Sequence, residues 1–196
     1  RKCVKVFDTE YIISHEEMDE MIQKATKAPS SVNMQPWRLM VVDSEEGKEK
    51  ILPSFGMNSR QVNTSSAMII VFGDLKNYEK AEQIYGDAVS KKHMTEEIKD
   101  KMLSWVLPHY KGLSREGMKD IVNIDSSLMA MQFMLVAKSH GYDTNPIGGF
   151  DKANIADVLG LDSERFVPVV AIAVGKGAQE AHDSVRLPLD DVRQYL

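Results

Sequence analysis

Cysteine is nearly absent from this 196-residue sequence. With Cys3 alone no intrachain disulfide can form, and the chain fits a reducing compartment, so a cytoplasmic location is expected. No apolar run approaches the ~20 residues a membrane-spanning helix needs, and Val167–Gly175, the longest, is of strand length. There is no basic surplus: net charge is −5, which argues against nucleic acid as the main partner. Histidines are few and scattered, and none forms H-E-x-x-H, which argues against a zinc hydrolase. Gly175-Lys176-Gly177 is followed by Glu180 where a dinucleotide fingerprint needs glycine. No phosphate loop of the G-x-x-x-x-G-K-[ST] type occurs. Gly112–Glu116 lacks the second glycine of a nucleophile elbow, and Cys3 has no nearby base to activate it.

What is present is ordinary in bulk: 43% hydrophobic, 27% charged, and of a length that suits one domain over residues 1–196. The start at Arg1, without a methionine, reads as a few residues short, with room for a cleaved targeting segment. Ser14 with Glu17 is a capping box, and Met18, Met21, Ile22 and Ala25 at helical spacing predict a helix from His15 to Ala28, stopped by Pro29. Pro29–Pro36 reads as loop and Leu39–Val42 as a strand; Ser44 caps a helix ending near Leu52. Ala67–Phe72 is a second strand, closed by Gly73-Asp74. Helices follow over Tyr78–Lys91, over Thr95–Leu107 with Pro108 ending it, and over Arg115–His140 with Gly141 as C′ residue. The last is apolar around more than one face and reads as buried over much of its length. Tyr142–Thr144 is a candidate strand, Asn145–Gly149 a tight loop, and Asp151 the cap of a short helix ending at Gly160. Phe166–Val174 is a strand whose Pro168 favours a sheet edge or strand start. Helices and strands mix without strict alternation, so the expected class is α+β. The apolar-dotted tail beyond Gly175 must pack on its own domain or on a second copy.

Three segments stand out. If Arg1–Phe7 is extended, Arg1, Cys3 and Lys5 share one face and Lys2, Val4 and Val6 the other, so that two cations and a thiol can meet an anion; the alternative is a solvated basic end. Pro29-Ser30-Ser31-Val32-Asn33-Met34-Gln35-Pro36-Trp37 sets hydroxyls and amides beside a rigid apolar wall, which suits a flat polar heterocycle, or else is a turn with a core tryptophan. Asn145-Pro146-Ile147-Gly148-Gly149-Phe150-Asp151 brings bare backbone N–H groups close to a ligand, or is a turn before a helix.

Together these segments resemble the nitroreductase family of FMN-dependent NAD(P)H oxidoreductases. The likeness runs over essentially the whole chain. It comprises the Arg-x-x-x-Lys-x-Phe start, the Ser-Ser-x-Asn-x-Gln-Pro-Trp loop, Pro-Ile-Gly-Gly-Phe, and Ser184-Val185-Arg186-Leu187-Pro188. The resemblance implies an α+β sandwich with a mainly antiparallel sheet flanked by helices. It also implies a homodimer with two FMN sites at the interface and residues 176–196 crossing to the partner. By the same resemblance, Arg1 and Arg186 hold the FMN phosphate, and Lys2 and Cys3 lie in the same segment. Lys5 sits by the N1–C2 side of the ring. Pro29, Ser30, Ser31 and Asn33 approach from the partner subunit. The backbone of Pro146, Ile147, Gly148 and Gly149 lies beside N5, with Asn58 and Gln61 at the pyrimidine edge. Cys3 stands where the family commonly has Ser, and Ser184 where some members carry Lys, so Lys176 is expected to supply the missing charge. No protein acid or base is required, since the flavin carries the chemistry. NADH or NADPH donates hydride and small acceptors such as nitroaromatics or quinones take it, by a ping-pong mechanism. Asp74, His109 and Tyr110 are candidates to line the acceptor pocket. The competing readings are an FMN carrier or redox-responsive protein without substantial turnover, and a helical interaction domain without cofactor.

Overall fold

The computed structural model describes residues 1–181 and 183–196. The chain opens with an extended segment and then α1 (His15–Ala25), whose cap is the expected one: the Ser14 hydroxyl accepts from the Glu17 N–H at 3.2 Å. α1 ends at Ala25 rather than Ala28, and the last three residues form a turn. β1 (Trp37–Val42) begins two residues earlier than the apolar run suggests, because Trp37 and Arg38 pair with Gly73 and Phe72. α2 (Glu45–Ile51) is capped by Ser44. A 3-10 turn at Leu52–Asn58 and α3 (Ser59–Thr64) follow, neither signalled by periodicity. β2 (Ala67–Asp74), α4 (Ala81–Ser90), α5 (Glu96–Gly112) and α6 (Arg115–Ser139) lead to β3 (Asp143–Ile147), α7 (Ile155–Val158), β4 (Phe166–Gly175) and a last turn, α8 (Leu189–Val192).

The four strands form one antiparallel sheet in the order β1-β2-β4-β3. β2 is buried throughout, and its alternate side chains feed two cores. Ile69 and Val71 face α1 and α6 with Met21, Phe133, Tyr142 and Ile172. Met68, Ile70 and Phe72 face the other way, onto Phe7, Ile51, Phe55, Val62, Ile147 and Ile155. A third core joins α4 and α5 to the start of α6 through Tyr85, Val106, Tyr110 and Val122. Gly73 lets α6 approach the sheet, since a Cβ there would lie 2.5 Å from Val122 Cγ2.

Several expectations change. Pro108 does not end α5, which continues to Gly112. The carbonyl that proline leaves unpaired belongs to Ser104 on the exposed face, which is open to solvent, while Val106 and Tyr110 anchor the buried face. β3 extends through Pro146 to Ile147 instead of turning at Asn145; as the outer strand of this sheet it has a side on which a missing N–H costs nothing. Pro168 lies in the third position of β4, beyond the reach of β3, which ends opposite Ala171. It also adjoins the register shift between Val71 and Phe72, so proline and bulge coincide. Gly141 takes φ +82 as the C′ residue of α6, as expected. α6 is not buried around its circumference: Ile124, Leu128, Met131 and Leu135 remain 42–63% exposed and form an outward stripe at helical spacing. Among the described residues no helix is long and apolar enough to cross a membrane.

Candidate functional site

The amino-terminal segment runs beside β3. Cys3 bridges Thr144 in parallel, the Val4 N–H donates to the Thr144 carbonyl at 3.2 Å, and Phe7 bridges Gly177. Val4 and Phe7 are buried, a bend at Lys5 separates them, and Arg1, Cys3 and Lys5 are exposed along this edge. The Arg1 guanidinium lies 3.5 Å from the Cys3 Sγ. Lys2 turns aside and pairs with Asp183 at 2.5 Å, which brings the base of the tail to the same edge. Pro146 and Ile147 end β3, and Gly148 and Gly149 follow it, exposed. A Cβ on Gly148 would meet nothing within 4 Å, so its backbone faces open space. The Asn58 amide donates to the Gly149 carbonyl at 2.9 Å, and the buried Gln61 donates to Asn58 Oδ1 at 3.2 Å. Residues from three distant stretches therefore meet at one edge: 1–5, 58–61 and 146–149.

The loop of Pro29, Ser30, Ser31 and Asn33 does not join them. It packs on α4, α5 and α6 instead. Asp125 of α6, 2% exposed, accepts from the Ser31 N–H at 2.9 Å and the Ser31 hydroxyl at 3.1 Å. Tyr85 donates to the Val32 carbonyl at 2.9 Å, and Tyr110 to the Ser31 carbonyl at 3.5 Å. The Ser30 hydroxyl accepts from the Gln35 N–H at 3.0 Å. Val32, Asn33 and Gln35 take φ of 44, 59 and 46°, a left-handed conformation costly for a β-branched valine above all. Ser31 and Asn33 are exposed. Burial pushes the Asp125 carboxyl above its ordinary range against the opposing effect of the Ser31 bonds. Burial, with the nearby Asp125 charge, pushes the Tyr110 hydroxyl up to about 12.

Lys176 and the three acceptor candidates all have partners within the chain. The Lys176 ammonium donates to the Gly141 carbonyl at 2.9 Å and sits 4.5 Å from the Tyr142 ring centroid and 5.1 Å from that of Tyr11. Within the single chain these are the partners its charge has. Among the described residues Arg186 bonds within the tail, to Ser184 Oγ and the Val185 carbonyl, both at 2.8 Å. Asp74 is no pocket wall. It is fully buried and accepts from Arg38 at 3.1 Å, from Arg165 at 2.8 and 3.0 Å, and from the Lys76 N–H. Tyr110 is 4% exposed and braces the loop, whereas His109 is exposed and stacks on Trp105 at 5.3 Å.

Asp125 and Tyr85 escaped the sequence reading. Asp125 had a signal: Met118, Val122, Asp125, Met129 and Phe133 follow one another at four- and three-residue steps, so a carboxylate occupies a core phase of α6.

Comparison with known proteins bears on this arrangement. Residues 1–176 match the model of the nitroreductase family. The sequence is 47% identical over 195 residues to YdgI of Bacillus subtilis, named among the NAD(P)H nitroreductases, and covers 100% of this chain and 93% of that one. The crystal structure of a Staphylococcus epidermidis protein named as an NAD(P)H:FMN oxidoreductase superposes with TM-score 0.99 at 74% identity, over 100% of this chain and 92% of that one. A nitroreductase from Exiguobacterium sibiricum, solved in complex with FMN, gives TM-score 0.97 at 46% identity, over 100% and 93%.

Proposed function

The chain belongs to the nitroreductase family, and from that premise we propose that it binds FMN at the edge formed by residues 1–5, 58–61 and 146–149. It is an NAD(P)H-dependent flavin oxidoreductase. The observation that carries the site is the outward run of Arg1, Cys3 and Lys5 beside the open backbone of Gly148 and Gly149. The residues fit the group. Neither Arg1, Lys5 nor Arg186 has a carboxylate within 4 Å among the described residues, so their charge is available to a dianionic phosphate and an electron-rich ring. FMN when bound supplies the redox chemistry, taking hydride from the reduced nicotinamide and giving it to a second substrate.

The protein's part is to bind and polarise. Arg1 and Arg186 neutralise the phosphate, each charge-assisted bond contributing ~1.5–3 kcal/mol. Lys5 holds a cation near N1, where it favours the reduced, more negative state. The N–H groups beyond Ile147 orient the ring at N5, and the Asn58 and Gln61 amides serve its pyrimidine edge. Lys2 shares the segment, but its ammonium is engaged by Asp183. With one substrate site, donor and acceptor occupy it in turn, a ping-pong order suited to nitroaromatics or quinones.

Residues 1–196 act as one domain that is complete only as a homodimer. Two observations support this. The outward stripe of Ile124, Leu128, Met131 and Leu135 is apolar, and the tail exposes Val185, Leu187, Leu189, Val192, Tyr195 and Leu196 at 64% or more. A second copy that covers both carries its own Pro29, Ser30, Ser31 and Asn33 toward the flavin.

Mixing the FMN-loaded protein with NADH and with NADPH in a stopped-flow instrument tests the activity. Rapid loss of the yellow absorbance, restored by a quinone or a nitroaromatic, is expected; a flavin that stays oxidised with both nucleotides overturns it. For the phosphate, Arg186→Ala is expected to weaken FMN binding about tenfold or more. An unchanged dissociation constant removes Arg186 from the site.

A further inference from the structure

Asp125 is a buried carboxylate without a cation: no Lys, Arg or His nitrogen lies within 4 Å of it among the described residues. Such a charge is costly to keep. Among the described residues its bonds go to Ser31 alone, whose backbone N–H it takes at 2.9 Å and whose hydroxyl it takes at 3.1 Å. A serine hydroxyl has one hydrogen and two lone pairs. With the hydrogen committed inward to Asp125, the exposed Ser31 oxygen can offer a ligand lone pairs alone. The backbone beyond it is held left-handed by Tyr85 and Tyr110, so the loop is braced from three helices at once.

We propose that Asp125 is a positioning residue which makes Ser31 an obligate hydrogen-bond acceptor toward the flavin cofactor, so that the group Ser31 recognises is an O–H or N–H donor of that ligand. This rests on the FMN reading above. Nothing in the hydride chemistry requires it; it is a rule of recognition, imposed on an exposed serine by a buried acid.

The physical consequence is a reversible polarity. In Asp125→Asn one oxygen still accepts from the Ser31 N–H, but the amide nitrogen can only donate to Ser31 Oγ, and the hydroxyl hydrogen turns outward. Protonating Asp125 does the same, since the new carboxylic O–H donates to that Oγ. The ionisable groups that face Asp125 are Tyr110 of α5 and, behind it, Tyr85 of α4, both neutral across the ordinary range because burial raises them. Burial also raises Asp125 itself, so the reversal sets in at a less acidic pH than for an exposed aspartate.

The test is a double-mutant cycle on FMN affinity, read by quenching of flavin fluorescence, with circular dichroism as the check on folding. Asp125→Asn and Ser31→Ala are each expected to weaken FMN binding about tenfold. Asp125→Asn made in the Ser31→Ala background is expected to change affinity less than twofold, because the acid acts through that hydroxyl. An equal loss in both backgrounds means that Asp125 merely holds the loop, and a dissociation constant within twofold of the parent for Asp125→Asn alone also overturns the proposal. If Asp125→Asn does not fold, the parent and Ser31→Ala decide it: the ratio of their dissociation constants is expected to fall toward one as the pH drops through the Asp125 titration. A pH-independent ratio refutes the proposal. The FMN phosphate titrates in both proteins and cancels in that ratio. A parent protein that does not take up FMN ends the functional reading itself, and is told apart from these outcomes by the absence of any quenching.

Discussion

Leu128→Glu combined with Leu135→Glu is expected to turn the protein into a monomer that no longer retains FMN. Both side chains lie on the outward stripe of α6, 45% and 52% exposed in the single chain. About half of each therefore remains to be covered, and removing that burial costs on the order of 1 kcal/mol per side chain. A twofold interface presents each position twice, so the double variant forfeits about 4 kcal/mol, which is roughly a thousandfold in the dimer dissociation constant. Placing carboxylates in the contact adds a desolvation penalty. Loss of FMN follows because the loop of Ser30, Ser31 and Asn33, held on α4, α5 and α6 rather than at the edge that carries Arg1, Lys5 and Gly148, has to arrive from a second copy. Sedimentation velocity and the flavin absorbance of the purified variant check both halves. A double variant that still sediments as a dimer with full flavin content refutes the assembly.

Asp74→Ala is expected to cost about 2–4 kcal/mol of stability. Asp74 is fully buried and binds Arg38 and Arg165, so its removal leaves two guanidinium groups facing each other without the carboxylate between them. Breaking a buried pair from one side commonly costs ~3–5 kcal/mol. The lower figure applies here because the two arginine side chains are 34% and 25% exposed and can recover some hydration, and Arg165 keeps Glu79 at 3.0 Å. For a chain of this length the melting temperature should fall by about 5–15 °C. Asp74→Asn should lose most of the same amount, since the amide keeps the shape without the charge. Calorimetric melting of both variants at neutral pH is the measurement, and a shift below about 2 °C would show that the cluster is a surface-like contact. The effect should reach the loop before Trp37 too, because the Asp74 N–H donates to the Pro36 carbonyl and Arg38 donates to that of Gln35.

Local chemistry carried much of this architecture. Ser14, Ser44 and Gly141 mark helix ends by hydroxyl caps and a left-handed backbone, devices that act within a few residues and so are visible in a linear reading. Proline misled twice for a common reason. Pro108 and Pro146 each remove one donor, and whether that matters depends on what lies opposite: solvent at Ser104 in one case, and in the other the outer side of β3, which the amino-terminal segment bridges at Thr144 and not at Pro146. Lys176 and Asp74 each have partners in the folded chain that a linear count of charge does not show. The first is drawn to the Gly141 carbonyl and two tyrosine rings, the second to two arginines.

From its sequence alone this chain is α+β, and it carries a basic amino-terminal strand, a Ser-Ser-x-Asn loop and a Gly-Gly turn that resemble a flavin site. Those properties depend on the period of side chains along a helix or strand and on residue types at short spacing. Only the folded chain decided which segments meet. β3, laid against residues 3 and 4, joined the basic strand to the glycines and to Asn58, while Asp125 drew the Ser31 loop away to another wall. Pairing across more than ninety residues is set by sheet register and core packing, and neither leaves a trace in the spacing of neighbours.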